Sequence, residues 1–177
     1  MDLSKKERLF LYNQYEILKL LNSKDKYMVE QYEEYQDVLL NGYKYNYDNL
    51  IQGMFDDTPD EVSKFVWEVF NMFRALYNSY HELGDDQKEK INLEEIKFQG
   101  YDGNEEGEYY SYSNFILEKM KRYHEIYDNG KVELNSHSHM VPTYRKMLDA
   151  WVKVRDEQYT KLTVKQINAI IEAKEYY

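Results

Sequence analysis

The sequence contains no cysteine, and this absence excludes several kinds of chemistry at once. No disulfide can cross-link the fold, and no thiolate can serve as a nucleophile. A composition without cysteine also fits the reducing interior of a cell. We therefore expect a cytoplasmic protein that folds without covalent cross-links, for which a chain of 177 residues is long enough.

Long apolar runs are missing as well. No stretch approaches the roughly 20 apolar residues that a helix needs to cross a bilayer. The opening segment "MDLSKKERLF" has neither the apolar core nor the small-residue cleavage site of a secretory signal. We therefore expect no membrane partner and no export from the cell.

Basic residues are outnumbered, since 33 Asp and Glu against 23 Lys and Arg give a formal net charge of -10. Affinity for a phosphate backbone comes chiefly from clustered cations, and here the lysines and arginines are dispersed. The charge balance therefore argues against nucleic-acid binding by this chain alone.

Proline and glycine are scarce, with two and seven residues respectively. Between them, apolar residues recur three and four positions apart, which is typical of amphipathic helices. Because we find no internal repeat and no linker, we predict a single all-α or nearly all-α domain over residues 1–177. Tyrosine supplies 20 residues, against seven Phe and two Trp, so the core should be rich in aromatic rings.

One segment carries the strongest helical pattern. Thr58, Pro59 and Glu61 provide the start signals, and Gly84 provides the stop signal. Apolar residues in between cover most of the helix circumference, so several neighbours must pack around it. We predict a bundle of about six helices around a buried central helix over residues 59–83. Its four-three spacing is carried by Val62, Val66, Val69, Phe73, Leu76, Tyr80 and Leu83.

The other helices are predicted from their caps and apolar stripes. The first runs from a capping box of Ser4 and Glu7 to residue 21, and the last begins at Thr163, where Gln166 completes a second box. The apolar face of the first helix consists of Leu11, Tyr15, Leu18 and Leu21. The remaining helices are predicted over residues 25–40, 104–127 and 142–154, and residues 43–55 stay unassigned.

Residues 97–112, "KFQGYDGNEEGEYYSY", combine a strand-like start with glycines, carboxylates and tyrosines. The segment is either an oxygen cage for calcium or a turn. Tyrosines occupy the last third of the twelve positions that a calcium loop needs, so the turn is favoured. We predict a short strand or hairpin near residues 96–101, a turn at Asp102 and Gly103, and Asn104 as the helix cap, with Glu105 and Glu106 at the positive end of the helix dipole.

His137 and His139 raise a second question about metal binding. On an extended segment the two imidazoles would share one face and a glutamate would complete the site, whereas a helix would separate them. We interpret both as surface residues, and we predict neither a metal nor another cofactor.

Asn13 and Gln14 need an explanation, because two consecutive amides lower the propensity of an apolar helix. Either they hydrogen-bond to the backbone of the turn at residues 100–104, which is the favoured alternative, or they line a ligand pocket. The candidate ligand-binding residues of such a polar network are Arg8, Asn13, Gln14, Tyr15, Asp102 and Asn104.

Several tyrosines have no evident place in the predicted core, and tyrosine is enriched where proteins touch one another. This surplus favours a homo-oligomer or another protein partner. The tyrosines concerned are Tyr43, Tyr45, Tyr47, Tyr110 and Tyr176.

Four segments together resemble one family over nearly the whole chain. They are "ERLFLYNQYEIL" at residues 7–18, "FQGYDGNEE" at 98–106, "LNSHSHMVPTYRKMLDAW" at 134–151, and the closing "LTVKQINAII". This order resembles the YfbU-like family of bacterial proteins. The resemblance implies an all-helical cytoplasmic protein without an assigned reaction, cofactor or catalytic residue. Some relatives carry a DNA-binding segment before the domain, which suggests a regulatory role; we expect this chain to lack that segment.

Two functional hypotheses from different classes follow. The first is a non-enzymatic helical domain that binds a protein partner, self-associates and serves a regulatory role. The alternative is an enzyme or small-ligand binder whose polar pocket is built from Arg8, Asn13, Gln14, Asp102 and Asn104. Nucleic-acid association rests only on the family resemblance.

Overall fold

Helices dominate the computed structural model of the protein, which describes residues 1–130, 134–155 and 161–174. The chain forms two compact units, Met1–Asp57 and Thr58–Tyr177. In the described ranges, β-structure is limited to one isolated bridge between Tyr101 and Asn135. The all-α prediction is therefore confirmed, and the prediction of a single domain stays a prediction.

The first unit is a helical hairpin. Helix α1 spans Lys5–Leu21 and begins at the predicted capping box of Ser4 and Glu7. Helix α2 spans Lys26–Asn41 and begins at Asp25, whose side chain accepts a hydrogen bond from the Met28 amide. It ends at Gly42, whose φ of 71° is a left-handed conformation that glycine adopts without strain. A 3-10 helix over Lys44–Ile51 fills part of the unassigned segment.

Only part of the predicted apolar face of α1 is turned away from solvent. Leu11 and Tyr15 are half-buried, but Leu18 and Leu21 are 38% and 75% exposed, and α1 contains no buried residue along its 17 positions.

Helix α3, Asp60–Glu82, is the centre of the second unit, as the prediction of a buried central helix requires. Pro59 precedes its first residue, and the carbonyl of Pro59 accepts from the amides of Val62 and Ser63. Six of its side chains are completely inaccessible to solvent: Val66, Val69, Phe70, Met72, Phe73 and Leu76.

The rest of the second unit surrounds α3. The core is rich in aromatic rings, as predicted, with Phe70 and Phe73 edge-on to Phe98 and with Tyr144 stacked on Phe98. The surrounding elements in chain order are α4 (Asp85–Lys88), a 3-10 helix (Leu93–Ile96), α5 (Gly107–Asn114), a π-helix (Phe115–Lys119), a 3-10 helix (His124–Gly130), α6 (Val141–Val154) and α7 (Val164–Ile171). Helix α7 begins at the predicted capping box of Thr163 and Gln166.

The long helix predicted over residues 104–127 is wrong in its bounds. The chain turns at residues 102–106 before α5 begins, and after the π-helix it departs from helical geometry, with positive φ at Lys121 and Tyr123. Tertiary contacts hold this conformation. The Tyr123 hydroxyl donates to Asn71 of α3, and the Arg74 guanidinium lies 3.7 Å from the centre of the Tyr123 ring.

Candidate functional site

The six candidate residues lie on two different elements. Arg8, Asn13, Gln14 and Tyr15 belong to α1 in the first unit. Asp102 and Asn104 belong to the turn before α5 in the second unit. A polar network that joins the two groups stays a prediction, so each group is described within its own unit.

The inner side of α1 combines charged side chains with Leu11, Tyr12 and Tyr15. Gln36 of α2 is buried, and its amide donates to Glu16 at 2.9 Å and accepts from the Lys19 ammonium at 3.1 Å. The hydrogen bond from Gln36, followed by that from Lys19, lowers the pKa of Glu16, and the bond to Glu16 raises the pKa of Lys19. Arg8 reaches α2 further along and donates to the Leu39 carbonyl at 3.0 Å. The hairpin is therefore fastened by a charged hydrogen-bond network.

Tyr15 completes this inner side with an aromatic contact. Its ring centre lies 5.9 Å from that of Tyr32 and 5.2 Å from that of Tyr35, both on α2. Burial, followed by the two neighbouring tyrosines, raises the pKa of Tyr15. Tyr15 therefore acts as a packing residue between the two helices.

The outer side of α1 is apolar. From residue 9 to residue 21, its exposed positions carry no charge: they are Leu9, Phe10, Asn13, Gln14, Ile17, Leu18, Leu20 and Leu21. We call these eight residues the outer face of α1. Most of the large apolar side chains of α1 therefore lie on its exposed side, unlike those of a helix that turns its whole apolar stripe inward. Asn13 and Gln14 lie within this face, and inside the first unit their side chains make no hydrogen bond.

Two grooves border the outer face. One has a volume of about 380 Å³ and is lined by Leu3, Lys6, Glu7, Phe10 and Leu11. The other has a volume of about 460 Å³ and is lined by Lys5, Arg8, Leu9, Tyr12, Asn13, Leu39 and Leu40. The second groove is lined by both Arg8 and Asn13, and the Arg8 Nε is buried without a hydrogen-bond partner among the described residues.

The turn in the second unit is capped by residues other than the predicted one. Asp102 accepts from the amides of Asn104 and Glu105, at 2.8 and 3.1 Å. These two backbone hydrogen bonds lower the pKa of Asp102, with smaller contributions from His139 and His137. Asn104 is thus a donor to the cap, and the prediction that it caps the helix is wrong, because α5 begins only at Gly107.

Glu106 is the residue that the sequence analysis missed. Its carboxylate is buried and accepts from three backbone amides, those of Asp102 and Met140 at 3.0 Å and that of Val141 at 2.6 Å. The pattern predicted Glu106 at the positive end of a helix dipole, and its partners at 140 and 141 are too distant in sequence to be read from that pattern. The arrangement ties the turn to the start of α6.

The turn is also closed against residues 134–136. Gly100 has a φ of 84°, and a side chain there would meet the Leu134 carbonyl at 1.9 Å. Asn135 accepts from the amides of Gly103 and His137, and the Tyr144 hydroxyl donates to the Gly100 carbonyl. The polar groups of this turn thus form hydrogen bonds within the fold. This agrees with the favoured interpretation of residues 97–112 as a turn.

The histidines lie beside this turn. His137 and His139 are exposed, and His137 has a positive φ of 52°. Within the described ranges, no group of three or more His, Asp or Glu residues is arranged to hold a metal ion.

The surplus tyrosines divide into several kinds. Tyr43 and Tyr45 are 55% and 96% exposed, and Tyr110 is half-buried. Tyr47 is buried, which contradicts its assignment to the surface. Tyr176 lies outside the described residues.

None of the helices in the described ranges is long and apolar enough to cross a membrane.

Comparison with known proteins agrees with the resemblance in the sequence. The chain is similar to a UPF0304 protein from Methanocaldococcus jannaschii, with 32% identity over 159 residues that make up 89% of this chain and 92% of that protein. The YfbU domain profile matches residues 1–173. Because the match covers nearly its whole length, the chain belongs to the YfbU family.

Proposed function

We propose that this chain is a non-enzymatic protein-interaction module that self-associates, and that the outer face of α1 is its binding surface. The observation that carries the proposal is the outer face itself: α1 hydrogen-bonds Arg8 and Lys19 to α2 and presents six large apolar side chains to water. Contiguous exposed apolar surface marks sites of protein contact. A face without charge is also typical of interface centres, which are depleted in charged residues.

The distribution of exposed apolar residues supports the same surface. Of the 18 large hydrophobic residues that are exposed in the described ranges, 14 lie in the first unit, although that unit has only 57 of the 177 residues. The exposed tyrosines of the described ranges, Tyr27, Tyr43 and Tyr45, are among these 14 residues. A regulatory role of the chain would act through contacts of this unit.

A matched pair of variants tests the proposal. Ile17 on α1 and Val152 on α6 are exposed to nearly the same extent, 51% and 53%. We expect the wild type and Val152→Glu to assemble at micromolar concentration, and Ile17→Glu to be monomeric, in native mass spectra and in sedimentation velocity. A wild type that stays monomeric at every concentration would contradict self-association.

The groove beside Arg8 favours a second candidate function, the binding of a small anionic ligand. Lys5 and Arg8 supply positive charge, Tyr12 and Asn13 supply hydrogen-bonding groups, and the Arg8 Nε has a donor to offer. This function predicts a reproducible extra mass on the freshly purified protein in native mass spectra. The mass should be lost in Arg8→Lys, which keeps the charge but removes Nε. A bare chain at its sequence mass would contradict the ligand.

A further inference from the structure

We propose that the outer face of α1 binds the same face of a second copy of the chain, with the two α1 helices antiparallel about a two-fold axis near Asn13 and Gln14. This inference rests on the proposed function and adds the occupant and its direction. Two identical surfaces can meet in this way only if the face is complementary to itself. The amides, the groove and the charges of α1 each bear on that condition.

The amides lie at the middle of the face. Phe10 precedes them by three positions and Ile17 follows them by three, so a two-fold axis at residues 13 and 14 places Phe10 of one copy against Ile17 of the other. An amide side chain carries both donors and an acceptor, so it can pair with its own copy across the axis. A polar residue in an apolar helix seam is also a known means of fixing register.

The groove and the most exposed leucines lie at nearly equal distances on either side of the axis. The groove of Leu3, Lys6, Glu7, Phe10 and Leu11 is centred about six residues before the axis, and its walls are almost entirely apolar. Leu20 and Leu21, 66% and 75% exposed, lie about seven residues after them. At about 1.5 Å per residue, both are about 10 Å from the axis. The leucines of each copy therefore fall on the groove of the other.

The charges of α1 favour the antiparallel direction over the parallel one. Lys5 and Lys6 are exposed at the N-terminal end of the helix. A parallel pair would bring these lysines together with those of the second copy and would leave the grooves facing each other. The antiparallel pair places them near the C-terminal end of the other α1, where the helix dipole is negative.

The size of the face agrees with that of a stable interface. Its six apolar side chains are 38 to 75% exposed, and together they expose about as much surface as three and a half fully exposed residues. Taking about 200 Å² for each fully exposed residue, the middle of the range for large aromatic side chains, gives about 700 Å² of exposed surface per copy. Each partner of a stable interface buries roughly 800 Å². The face also carries no charge. Two chains that each have a formal net charge of -10 can therefore meet there without bringing like charges into contact.

Single cysteines test the direction, because the chain has no cysteine of its own. The variants are Asn13→Cys, Leu21→Cys and Lys6→Cys, with Val152→Cys as the exposed control; each is first examined for assembly in native mass spectra and then oxidised. We expect Asn13→Cys to form a disulfide with its own copy. Leu21→Cys should not do so, since about 22 Å would separate the two positions along the helices, beyond the roughly 7 Å limit for Cα atoms. A mixture of Leu21→Cys and Lys6→Cys should form the mixed disulfide.

The outcomes separate this inference from the function on which it rests. A dimer in which Leu21→Cys bridges to itself as readily as Asn13→Cys would overturn the antiparallel arrangement and leave self-association in place. A dimer in which none of the three α1 positions bridges more than Val152→Cys would overturn α1 as the contact. A monomer throughout would overturn both proposals.

Discussion

The main helices of the two units differ in the side chains that they expose. Every exposed position of α3 is polar or charged, and its apolar residues form the core of the second unit. On α1, the exposed positions from residue 9 onward are apolar or amides, while Arg8, Glu16 and Lys19 face α2. Helix α3 therefore finds its apolar partners within its own unit, whereas α1 leaves many of its apolar side chains exposed.

Two phenylalanines test the difference between α1 and α3 most directly. Phe70 on α3 is completely buried and Phe10 on α1 is 63% exposed. In the monomeric Ile17→Glu background, we expect Phe70→Ala to lower the free energy of unfolding by about 3–5 kcal/mol because it leaves a cavity. Phe10→Ala should change it by only about 0.5 kcal/mol. Urea unfolding measures both changes in free energy. Equal losses would show that the Phe10 side chain is as well buried as that of Phe70.

Glu106 tests whether the second unit depends on its buried carboxylate. Glu106→Ala leaves three backbone donors, at residues 102, 140 and 141, without an acceptor. At about 1–3 kcal/mol for each unsatisfied buried group, the loss should be about 3 kcal/mol or more. Glu106→Gln should lose less, because one acceptor oxygen remains. The control in the same urea titrations is Glu105→Ala, at the exposed neighbouring position. If it lowers the free energy of unfolding as much as Glu106→Ala does, the buried carboxylate is not what stabilises the second unit.

Gln36 tests the polar fastening of the first unit. Gln36→Ala removes hydrogen bonds to Glu16, Lys19 and the Tyr12 carbonyl. We expect a loss of about 1–2 kcal/mol that is confined to the hairpin, so amide hydrogen exchange should quicken in α1 and α2 and stay unchanged in α3. Gln52→Ala, at an exposed position, should leave exchange unchanged throughout. Faster exchange in α3 would mean that the hairpin is not stabilised separately.

The smallest expected effect concerns the pH dependence of the second unit. The folded-state pKa of Asp102 is lowered by two backbone hydrogen bonds, so its contribution is complete above the unfolded pKa of about 4 and is lost as the pH falls through the folded pKa. Asp102→Asn should therefore lose less stability than the wild type between pH 6 and pH 3 in urea titrations. An identical loss of stability in both proteins would show that Asp102 does not contribute to acid sensitivity.

Features that depend on neighbouring residues were predictable from the sequence. The capping boxes at Ser4 and Thr163 and the spacing of α3 were read correctly, because a cap or a stripe uses residues only three or four positions apart. The π-helix and the left-handed Tyr123 were not, since contacts with Asn71 and Arg74 hold that segment.

The candidate site follows the same rule. Asn13 and Gln14 were singled out because amides are unusual in an apolar helix, and both do lie in an apolar surface. Which side of α1 faces α2 could not be read from α1 alone. The helix has apolar residues on both sides, and the buried Gln36 on α2 is what makes its charged side the inner one.

The position of the hydrogen-bond partners along the chain has a consequence for synthesis on the ribosome. The hydrogen bonds between α1 and α2 need no residue beyond Leu39, whereas the Glu106 carboxylate accepts from residues 140 and 141. At about 5–20 residues per second, translation from the end of α2 to the end of α6 takes about 5–20 s, while helices form in about a microsecond. A nascent chain therefore exposes a finished α1 helix for seconds before the second unit can close.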